Sequence, residues 1–312
     1  MARPPLDVLA IGEPMIEFNQ TRAGETAWLQ GFGGDTSNIV VAAARSGARC
    51  GYLSRIGDDA FGERLLALWK QEGIDASGVL VDPDAHTAVY FVEHDASGHR
   101  FSYLRRDSAA SRLAPADLTP DIGARAAIVC ASGISLAISP SACDTVFAAF
   151  EAARAKGARI AFDANLRERL WPLPRARAMN SAAAAMADFF LPSLEDALTL
   201  SGLPPASDPR AVLDWAHGLG AGTVVLKMGA QGAIASDGKK VLKVVAHQVD
   251  SVDATGAGDC FCGAFLARTA AGDDLEAATR YANAAAALAT TGFGAVAPLP
   301  DPQAVAALLA KG

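Results

Sequence analysis

The sequence has no apolar run long enough to cross a membrane, and no charged segment followed by an apolar one precedes Leu6. These absences predict a protein without a membrane span or a signal peptide. Lysine and arginine form no block, and the formal net charge is −7 at pH 7. We therefore expect neither nucleic acid nor a membrane as a partner, although an acidic chain can still bind an anion in a locally positive pocket.

Cysteine is scarce: the chain has five, an odd number, and no Cys-x-x-Cys pair occurs. Cys260 and Cys262 stand two positions apart on a predicted helix, so their side chains face apart. This usage favours free, buried thiols in a reducing cytoplasm over disulfides or a zinc site. We therefore expect a cytoplasmic protein.

Three common catalytic motifs are also missing from the sequence. The Walker pattern GxxxxGK[ST] does not occur, which excludes a P-loop route to ATP. No GxSxG is present, so a serine hydrolase has no support. No GxGxxG follows the first apolar strand, which argues against a dinucleotide dehydrogenase.

What the sequence does contain is a long alternation of short apolar strands and amphipathic helices. The first strand is predicted at residues 6–12 and the first helix at 37–46, with Thr36 or Asp35 as its N-cap. Further elements are predicted at residues 48–56, 58–72, 127–131, 141–156, 159–163, 188–191, 194–201, 211–219, 223–227, 257–271, 275–290 and 302–310. Such alternation predicts an α/β fold, a mostly parallel doubly wound sheet flanked by helices. Because no linker or repeat interrupts it, we expect residues 1–312 to form one domain.

One segment breaks the alternation. Residues 87–93 and 99–106 are rich in strand-forming residues and flank the turn-like Asp95-Ala96-Ser97-Gly98, which predicts a hairpin without a helix between its arms. Strand alternation places Tyr103 and Arg105 on one face of this hairpin. The hairpin is either a meander at the edge of the core or a lid over a binding site.

The stretch from Asp253 to Phe261 has the composition of an anion site at a helix N-terminus. Small residues at Gly256, Ala257 and Gly258 let the backbone bend so that its N–H groups can point at one spot. The apolar run that follows predicts a helix whose first N–H groups lack partners and whose dipole is positive at this end. Asp259 makes chemical sense there as a base for a hydroxyl that attacks a phosphate, or else it is only a helix-end charge in a glycine-rich turn.

The run from Val252 to Phe261 resembles the C-terminal signature of the ribokinase-like sugar kinases, also called the phosphofructokinase-B family. Gly33-Gly34-Asp35-Thr36-Ser37-Asn38 resembles that family's N-terminal signature, and the two motifs stand in the expected order and separation. The resemblance implies a ribokinase-like fold, ATP and Mg²⁺ as cofactors, and Asp259 as catalytic base, with a monovalent cation left open. It also implies that Gly34 and Asn38 contact a sugar, and that a small β-sheet lid forms from about residues 14–33 and 86–107.

Further motifs resemble the 2-keto-3-deoxygluconate kinase branch of the family. They are Gly12-Glu13-Pro14, Gly33-Gly34-Asp35, Tyr103-x-Arg105, Leu170-Trp171, and the Arg167 that follows Asp163-Ala164-Asn165. This resemblance implies that Arg105 and Arg167 hold the carboxylate of a keto sugar acid. It implies in the same way that Tyr90 and Tyr103 bind hydroxyls or the keto oxygen.

Each of these assignments has an alternative. Arg105 can be an ordinary surface arginine, and Arg167, which is placed to reach a ligand at the carboxyl end of a strand, can instead pair with Glu168. Glu17 stands where fructokinase-like members tend to carry Asp, which is a small argument against fructose.

The nucleotide side resembles the family less closely. Ser193 and Asp196 form Ser-x-x-Asp where the family has Asn-x-x-Glu, so Asp196 would act on magnesium with a shorter arm, largely through water. Lys227, Gly229 and Gly232 match the family's nucleotide-side loop, and Asn283 matches an adenine-side position. A structural role is the alternative for Lys227, and a capping or core role is the alternative for Asn283.

Together these resemblances predict ATP-dependent phosphorylation of 2-keto-3-deoxygluconate to 2-keto-3-deoxy-6-phosphogluconate. Other kinases of the family, acting on fructose, ribose or a nucleoside, are the alternatives, and a sugar-sensing protein without catalysis is another. Asp259 argues against the sensor, because a binding protein needs no base. Exposed edges and apolar side chains such as Phe91 and Phe101 predict that the lid forms a homo-oligomer.

Overall fold

In a computed structural model of the chain, residues 5–22, 24–95, 98–119 and 121–311 are described. The strands are β1 (Leu6–Ile11), β2 (Met15–Asn19), β3 (Leu29–Gly33), β4 (Cys50–Gly57), β5 (Asp75–Asp82), β6 (Ala88–Asp95), β7 (Gly98–Leu104), β8 (Ala126–Ser132), β9 (Arg159–Asp163), β10 (Phe189–Phe190), β11 (Thr223–Lys227), β12 (Ala233–Ser236) and β13 (Val241–Val244). The helices are α1 (Asp35–Arg45), α2 (Ala60–Gln71), α3 (Ile122–Arg125), α4 (Gly133–Ala137), α5 (Pro140–Ala155), α6 (Leu173–Met186), α7 (Leu194–Ser201), α8 (Pro209–Leu219), α9 (Ala257–Ala271), α10 (Leu275–Ala289) and α11 (Pro302–Leu309).

The larger sheet has nine strands in the order β13-β12-β11-β10-β9-β8-β1-β4-β5. All neighbours from β11 to β5 pair in parallel, while β12 pairs antiparallel with both β11 and β13. Apolar side chains from the sheet and its flanking helices form two buried clusters, one that includes α1 and α9 and one that includes α5 and α6. The predicted doubly wound α/β sheet is therefore confirmed.

Helix α9 packs directly against α1 at Gly263. A Cβ at this residue would lie 2.8 Å from Ala42 Cβ and 2.9 Å from the Ala43 backbone nitrogen, so only glycine allows so close an approach. Nearly every residue of the first three turns of α9 is buried, as expected for a helix that is apolar all round. This close packing brings the first turns of both helices together at one end of the sheet.

The smaller sheet has four strands in the order β3-β2-β6-β7, and it corresponds to the predicted lid. Strands β6 and β7 form the predicted hairpin, with Tyr90 opposite Tyr103 in their antiparallel register. Strand β2 joins the two hairpins because it pairs antiparallel with β3 and parallel with β6. Ala96 and Ser97 of the predicted turn lie outside the described residues.

The boundaries of several elements agree with the sequence prediction, and others differ. Strands 159–163 and 223–227 and helices 194–201 and 257–271 have the predicted limits. The predicted N-cap of α1 is wrong, because the helix begins at Asp35 with Gly34 in the N-cap position at φ 90°. The pattern also missed β5, β12, β13, α3, α4 and α6.

Two predictions drawn from absences can be compared with the structure. Among the residues that the structure describes, no helix is both long and apolar enough to span a lipid bilayer. All five cysteines are buried and free, as predicted.

Candidate active site

The candidate site lies where the N-termini of α1 and α9 meet the carboxyl ends of the central strands. Asp259, in the first turn of α9, accepts a hydrogen bond of 2.8 Å from the side-chain amide of Asn38 in the first turns of α1. Asp163 is the last residue of β9, and Lys227 is the last residue of β11. In open α/β sheets this edge is where ligands bind.

Asp259 has the environment of a proton acceptor. It is 9% exposed, and burial raises the pKa of its carboxyl to about 8, with the negative charges of Asp35 and Asp163 adding to the rise. The hydrogen bond from Asn38 and the charge of Lys227 oppose the rise. A carboxylate with so high a proton affinity is a far stronger base than one in water.

The backbone N–H groups beside Asp259 are partly free. Gly256 is the N-cap of α9 with φ 75°, and a Cβ there would lie 2.9 Å from both the Cβ and the carbonyl oxygen of Ala295. Ala257 N–H donates to the Ala254 carbonyl at 3.2 Å, whereas no described residue accepts a hydrogen bond from the N–H groups of Gly256 or Gly258. Three free N–H groups were expected, at Gly256, Ala257 and Gly258. Because the turn uses the N–H group of Ala257, two remain free.

Asp253 anchors this loop to the rest of the fold. Its carboxylate accepts hydrogen bonds from the Thr255 backbone N–H at 2.9 Å, the Thr255 hydroxyl at 2.6 Å and the Gly294 N–H at 2.9 Å. Its other contact is the Asn19 amide on β2, at 3.2 Å. Although burial alone would raise the pKa of Asp253, these hydrogen bonds lower it, so the carboxylate stays ionised and the loop shape is fixed.

The N-terminus of α1 also carries Gly34 and Asp35. Gly34 allows close packing, because a Cβ there would lie 2.7 Å from Pro14 Cα. The Asp35 carboxylate accepts a hydrogen bond of 3.1 Å from the side chain of Asn165, which itself has φ 29°. One carboxylate oxygen of Asp35 and the amide oxygen of Asn38 are buried without a hydrogen-bond partner in the described part of the chain.

Tyr90 and Glu17 of the small sheet form a buried pair near Asp259. The Tyr90 hydroxyl donates a hydrogen bond to the Glu17 carboxylate, and the negative charges of Glu17 and Asp259 help burial to raise the pKa of Tyr90. Burial raises the pKa of Glu17 to about 7. Tyr103 stacks on Tyr90 with 6.0 Å between ring centroids and is 41% exposed. The predicted juxtaposition of these two tyrosines is present, while Glu17 was not predicted as their partner.

The two arginines predicted to bind a carboxylate differ in their surroundings. Arg105 forms an ion pair with the buried Glu13, which also accepts a hydrogen bond of 2.6 Å from Ser108. Burial raises the pKa of Glu13, and the charge of Arg105 opposes that rise. Arg167 is exposed, and its only side-chain hydrogen bond among the described residues goes to the Leu166 carbonyl at 2.9 Å. The alternative pair between Arg167 and Glu168 does not form.

Lys227 lies below the glycine loop in a cluster that sequence reasoning missed. Its ammonium contacts the Asp163 carboxylate at 2.7 Å and the Cys262 sulfur at 3.2 Å. A Cβ on Gly258 would lie 3.6 Å from the same nitrogen. Burial alone would lower the pKa of Lys227, but Asp163, Cys262 and Asp259 raise it, so the side chain stays charged. Its positive charge therefore lies close to the free N–H groups of the loop.

Asp196 is the residue predicted to act on magnesium. Ser193 is the N-cap of α7, and its hydroxyl accepts a hydrogen bond of 3.0 Å from the Asp196 backbone N–H. Burial and then the nearby charge of Asp163 raise the pKa of Asp196, whereas Lys227 and Arg167 oppose the rise. A half-buried carboxylate that another carboxylate repels fits a divalent cation held by few protein oxygens, water and phosphates. In the described part of the chain, no group of three or more His, Cys, Asp or Glu residues could hold a metal ion by itself.

The remaining nucleotide-side residues lie in the turn after β11 and in helix α10. Gly229 and Gly232 have φ 54° and 91°, and a Cβ on Gly229 would contact nothing within 4 Å. The Asn283 amide donates to the Val245 carbonyl at 2.7 Å. Val245 is an exposed apolar residue, 73% accessible. Asn283 thus fixes the segment that carries Val245, and its contact with adenine remains a prediction.

Comparison with known proteins agrees with this geometry. Residues 6–302 match the model of the pfkB family of carbohydrate kinases. The chain is 34% identical to 2-dehydro-3-deoxygluconokinase of Thermoproteus tenax, in an alignment that covers 99% of this chain and 95% of the relative. It is also 34% identical to fructokinase-1 of Oryza sativa subsp. japonica, in an alignment that covers 94% of each chain. An E. coli protein described as a ribokinase II, solved with ATP and Mg²⁺, superposes with a TM-score of 0.90 at 28% identity, covering 98% of this chain and 99% of that one. The fold is ribokinase-like, and the chain belongs to the pfkB family of carbohydrate kinases.

Proposed function

We propose that the protein transfers the γ-phosphoryl group of ATP to the terminal hydroxyl of 2-keto-3-deoxygluconate, giving 2-keto-3-deoxy-6-phosphogluconate. The observation that carries the proposal is the buried Asp259. Asn38 orients this carboxylate, which lies in the same helix turn as the free N–H group of Gly258. A base and an anion-binding backbone are thus held side by side, which is the arrangement that phosphoryl transfer to a hydroxyl requires.

The chemistry follows from these positions. Asp259 takes the proton of the terminal hydroxyl, the hydroxyl oxygen forms a bond to the γ-phosphorus, and the bond from that phosphorus to the bridging oxygen of ADP breaks. The N–H groups of Gly256 and Gly258 and the charge of Lys227 stabilise the negative charge of the transferring group. Each backbone donor contributes about 3 kcal/mol by analogy with oxyanion holes. Closure of the small sheet over the sugar keeps water away and so suppresses ATP hydrolysis.

Magnesium and the nucleotide belong on the side of Asp196 and Asn283. Asp196 would hold Mg²⁺ through water, and the ion supplies neutralisation of phosphate charge when it is bound. Ser193 fixes the backbone of Asp196, while Gly229 offers open backbone and Val245 an apolar surface for the nucleotide.

The choice of a sugar acid rests on Arg167. Its guanidinium is exposed and has no ion-pair partner among the described residues. It lies close enough to Asp35, on the sugar side, for its charge to lower the pKa of that carboxyl. An arginine fork suits a carboxylate. The similarity to the Thermoproteus tenax enzyme supports the same substrate.

Fructose is the second candidate, and one observation favours it. Glu13 neutralises Arg105, the other arginine that was expected to bind the carboxylate. This ion pair reduces the positive charge that a sugar acid would need. The chain is 34% identical to the Oryza sativa fructokinase-1 and 34% identical to the Thermoproteus tenax enzyme. Sequence identity therefore supports both candidates equally.

A substrate panel with ADP detection separates the two candidates. We expect the highest kcat/KM with 2-keto-3-deoxygluconate, and we expect Arg167→Ala to raise KM for this acid at least tenfold while leaving KM for ATP unchanged. Arg105→Ala should raise KM for the acid less, because the charge of Arg105 is already neutralised by its ion pair with Glu13. Fructose as the best substrate, with KM insensitive to Arg167→Ala, would replace the sugar acid by a neutral sugar.

We further propose that the small sheet mediates self-association. Leu29 on β3 and Tyr103 and Leu104 on β7 are large apolar residues exposed along the two edge strands. Unpaired edges with apolar side chains favour pairing between copies. Light scattering of the wild type should give more than the mass of one chain, and Leu104→Lys should shift the protein to monomer. A monomeric wild type at micromolar concentration would refute this.

A further inference from the structure

Strand β2 of the small sheet carries two buried polar side chains, Glu17 and Asn19, which are 1% and 0% exposed. Residues two apart in a strand point to the same face of the sheet, so both side chains lie on one side of β2. Tyr90 is paired with Glu17 in the register of β2 and β6, and its hydroxyl donates a hydrogen bond to the Glu17 carboxylate. Tyr90, Glu17 and Asn19 therefore form one buried polar group in the small sheet.

The side-chain amide of Asn19 lies between two acids. It donates a hydrogen bond of 3.2 Å to Asp253 Oδ2, and it also hydrogen-bonds the Glu17 carboxylate, which opposes the rise of the Glu17 pKa. The charge of Asp253 adds to that rise, so the two acids repel each other when both are ionised. An amide nitrogen has two hydrogens to donate and can hold both acids at once. Without this amide, two buried acids that repel each other would lose a shared donor.

A second contact joins β2 to the segment that supports the glycine loop. The backbone N–H of Gly294 donates to Asp253 at 2.9 Å, and the N–H of the next residue, Ala295, hydrogen-bonds the Glu17 carboxylate. Ala295 in turn packs on the N-cap of α9, since a Cβ on Gly256 would lie 2.9 Å from the Ala295 Cβ. The small sheet thus contacts the supports of the glycine loop both at Asp253 and at Ala295.

We propose that Asn19 is a positioning residue that couples the binding of the sugar to the binding of the nucleotide in the proposed sugar kinase. A sugar held by Tyr90 keeps β2 in the position from which Asn19 reaches Asp253. Because Asp253 fixes the Thr255 N–H, the glycine loop is then ordered before the nucleotide arrives, and less free energy is lost in ordering it. Coupling between two sites is reciprocal, so each ligand should bind more tightly when the other is present.

The first test measures this coupling in the wild type by calorimetry. The dissociation constant of β,γ-methylene ATP with Mg²⁺ is measured without sugar and with a saturating amount of 2-keto-3-deoxygluconate or fructose, whichever binds better. We expect the sugar to lower this dissociation constant at least about fivefold, which is the lower end of ordinary coupling between two sites. A dissociation constant that the sugar leaves unchanged would overturn the proposal.

The second test asks whether Asn19 carries the coupling. We expect Asn19→Ala to bind each ligand alone about as well as the wild type does, while the sugar changes the affinity for the nucleotide less than about twofold. Asn19→Ser is the second variant if the first does not fold, because a hydroxyl has one hydrogen and can donate to only one of the two acids.

Asn180→Ala is the matched control. It also removes a buried asparagine amide, whose hydrogen bond of 2.8 Å goes to the Ala176 carbonyl within α6. This variant should lose stability, as Asn19→Ala does, and should keep the coupling of the wild type.

The outcomes separate a positioning role from a structural one. If Asn19→Ala lowers Tm and keeps the coupling of the wild type, Asn19 only stabilises the fold and the proposal is wrong. If the variant loses affinity for the sugar alone, Asn19 acts within the sugar site and the proposal is again wrong. Because binding is measured without turnover, failure of 2-keto-3-deoxygluconate as a substrate would refute the proposed function and leave this test intact with fructose.

Discussion

Replacing Gly263 tests whether the packing of α9 on α1 sets the geometry of the catalytic pair. A Cβ at residue 263 would lie 2.8 Å from Ala42 Cβ and 2.9 Å from the Ala43 nitrogen. Ordinary contacts between carbon atoms are about 3.5–4.0 Å, so the helices must separate by about 1 Å. Such overpacking costs about 1–3 kcal/mol of the free energy of unfolding, which lowers Tm by several degrees.

The same displacement acts on catalysis. Asn38 is on α1 and Asp259 is on α9, and their hydrogen bond is 2.8 Å long, so a shift of about 1 Å takes it out of hydrogen-bond range. A misplacement of about 1 Å costs on the order of 10²-fold in rate. We therefore expect Gly263→Ala to lower kcat by about this factor, measured by ADP release at saturating ATP and sugar, with Tm measured by calorimetry.

Gly218→Ala in α8 is the matched control. A Cβ there would contact nothing within 4 Å. Alanine is better than glycine inside a helix by about 1 kcal/mol, so this variant should be as stable as the wild type or more so, with unchanged kcat. If Gly263→Ala also kept the Tm and kcat of the wild type, the account of how α1 and α9 position the base would be refuted.

The remaining predictions concern the glycine loop and the base. Gly258→Ala should fold with an unchanged Tm, because its Cβ would contact only the Lys227 nitrogen, at 3.6 Å. Its kcat should nevertheless fall at least tenfold, because the methyl group lies in the anion site. Gly256→Ala should instead lower Tm, since φ is 75° at this residue and a Cβ there would lie 2.9 Å from Ala295. A normal kcat for Gly258→Ala would show that the phosphoryl group does not approach this residue. The value of kcat/KM should rise with pH up to about 8, because Asp259 accepts a proton only when it is ionised. A kcat/KM that does not change from about pH 6 to 8 would contradict the assignment of Asp259 as the base. Because the pKa of Asp259 is raised in the folded state, its protonated form stabilises the fold fully below the unfolded-state pKa, and this contribution is lost as pH rises to about 8. At about pH 8.5 the wild type must bury an ionised carboxylate, whereas Asp259→Asn buries a neutral amide. The variant should therefore have the higher Tm at that pH.

Local sequence patterns were enough to predict the fold and the helix N-terminus on which the candidate site is built. Apolar runs ending in Gly or Asp marked β1 and β9, and small residues before an apolar helix marked Gly256, Gly258 and Asp259. These features depend on neighbours along the chain, which the sequence displays directly. The same holds for the hairpin of β6 and β7, which strand-forming residues on both sides of a turn predicted.

The pairings that tune the site could not be predicted in the same way. Glu13 and Arg105, and Asp163 and Lys227, are separated by 92 and 64 positions in the sequence. Neither periodicity nor a motif indicates which acid meets which base at such distances. The position of Asp163 at the end of a strand was one available signal, since strand ends line the ligand crevice. The N-cap of α1 was mispredicted because Asp and Thr are better cap formers than Gly, whereas close packing on Pro14 requires glycine at that position.

The most direct test of the account is turnover by Asp259→Asn. The variant keeps the size of the side chain and can still hydrogen-bond Asn38, but it cannot accept the proton of the sugar. We expect sugar binding to remain measurable by calorimetry while sugar-dependent ADP release falls by at least about 10³-fold. Turnover within tenfold of the wild type would show that Asp259 is not the base, and the mechanism built on it would be wrong.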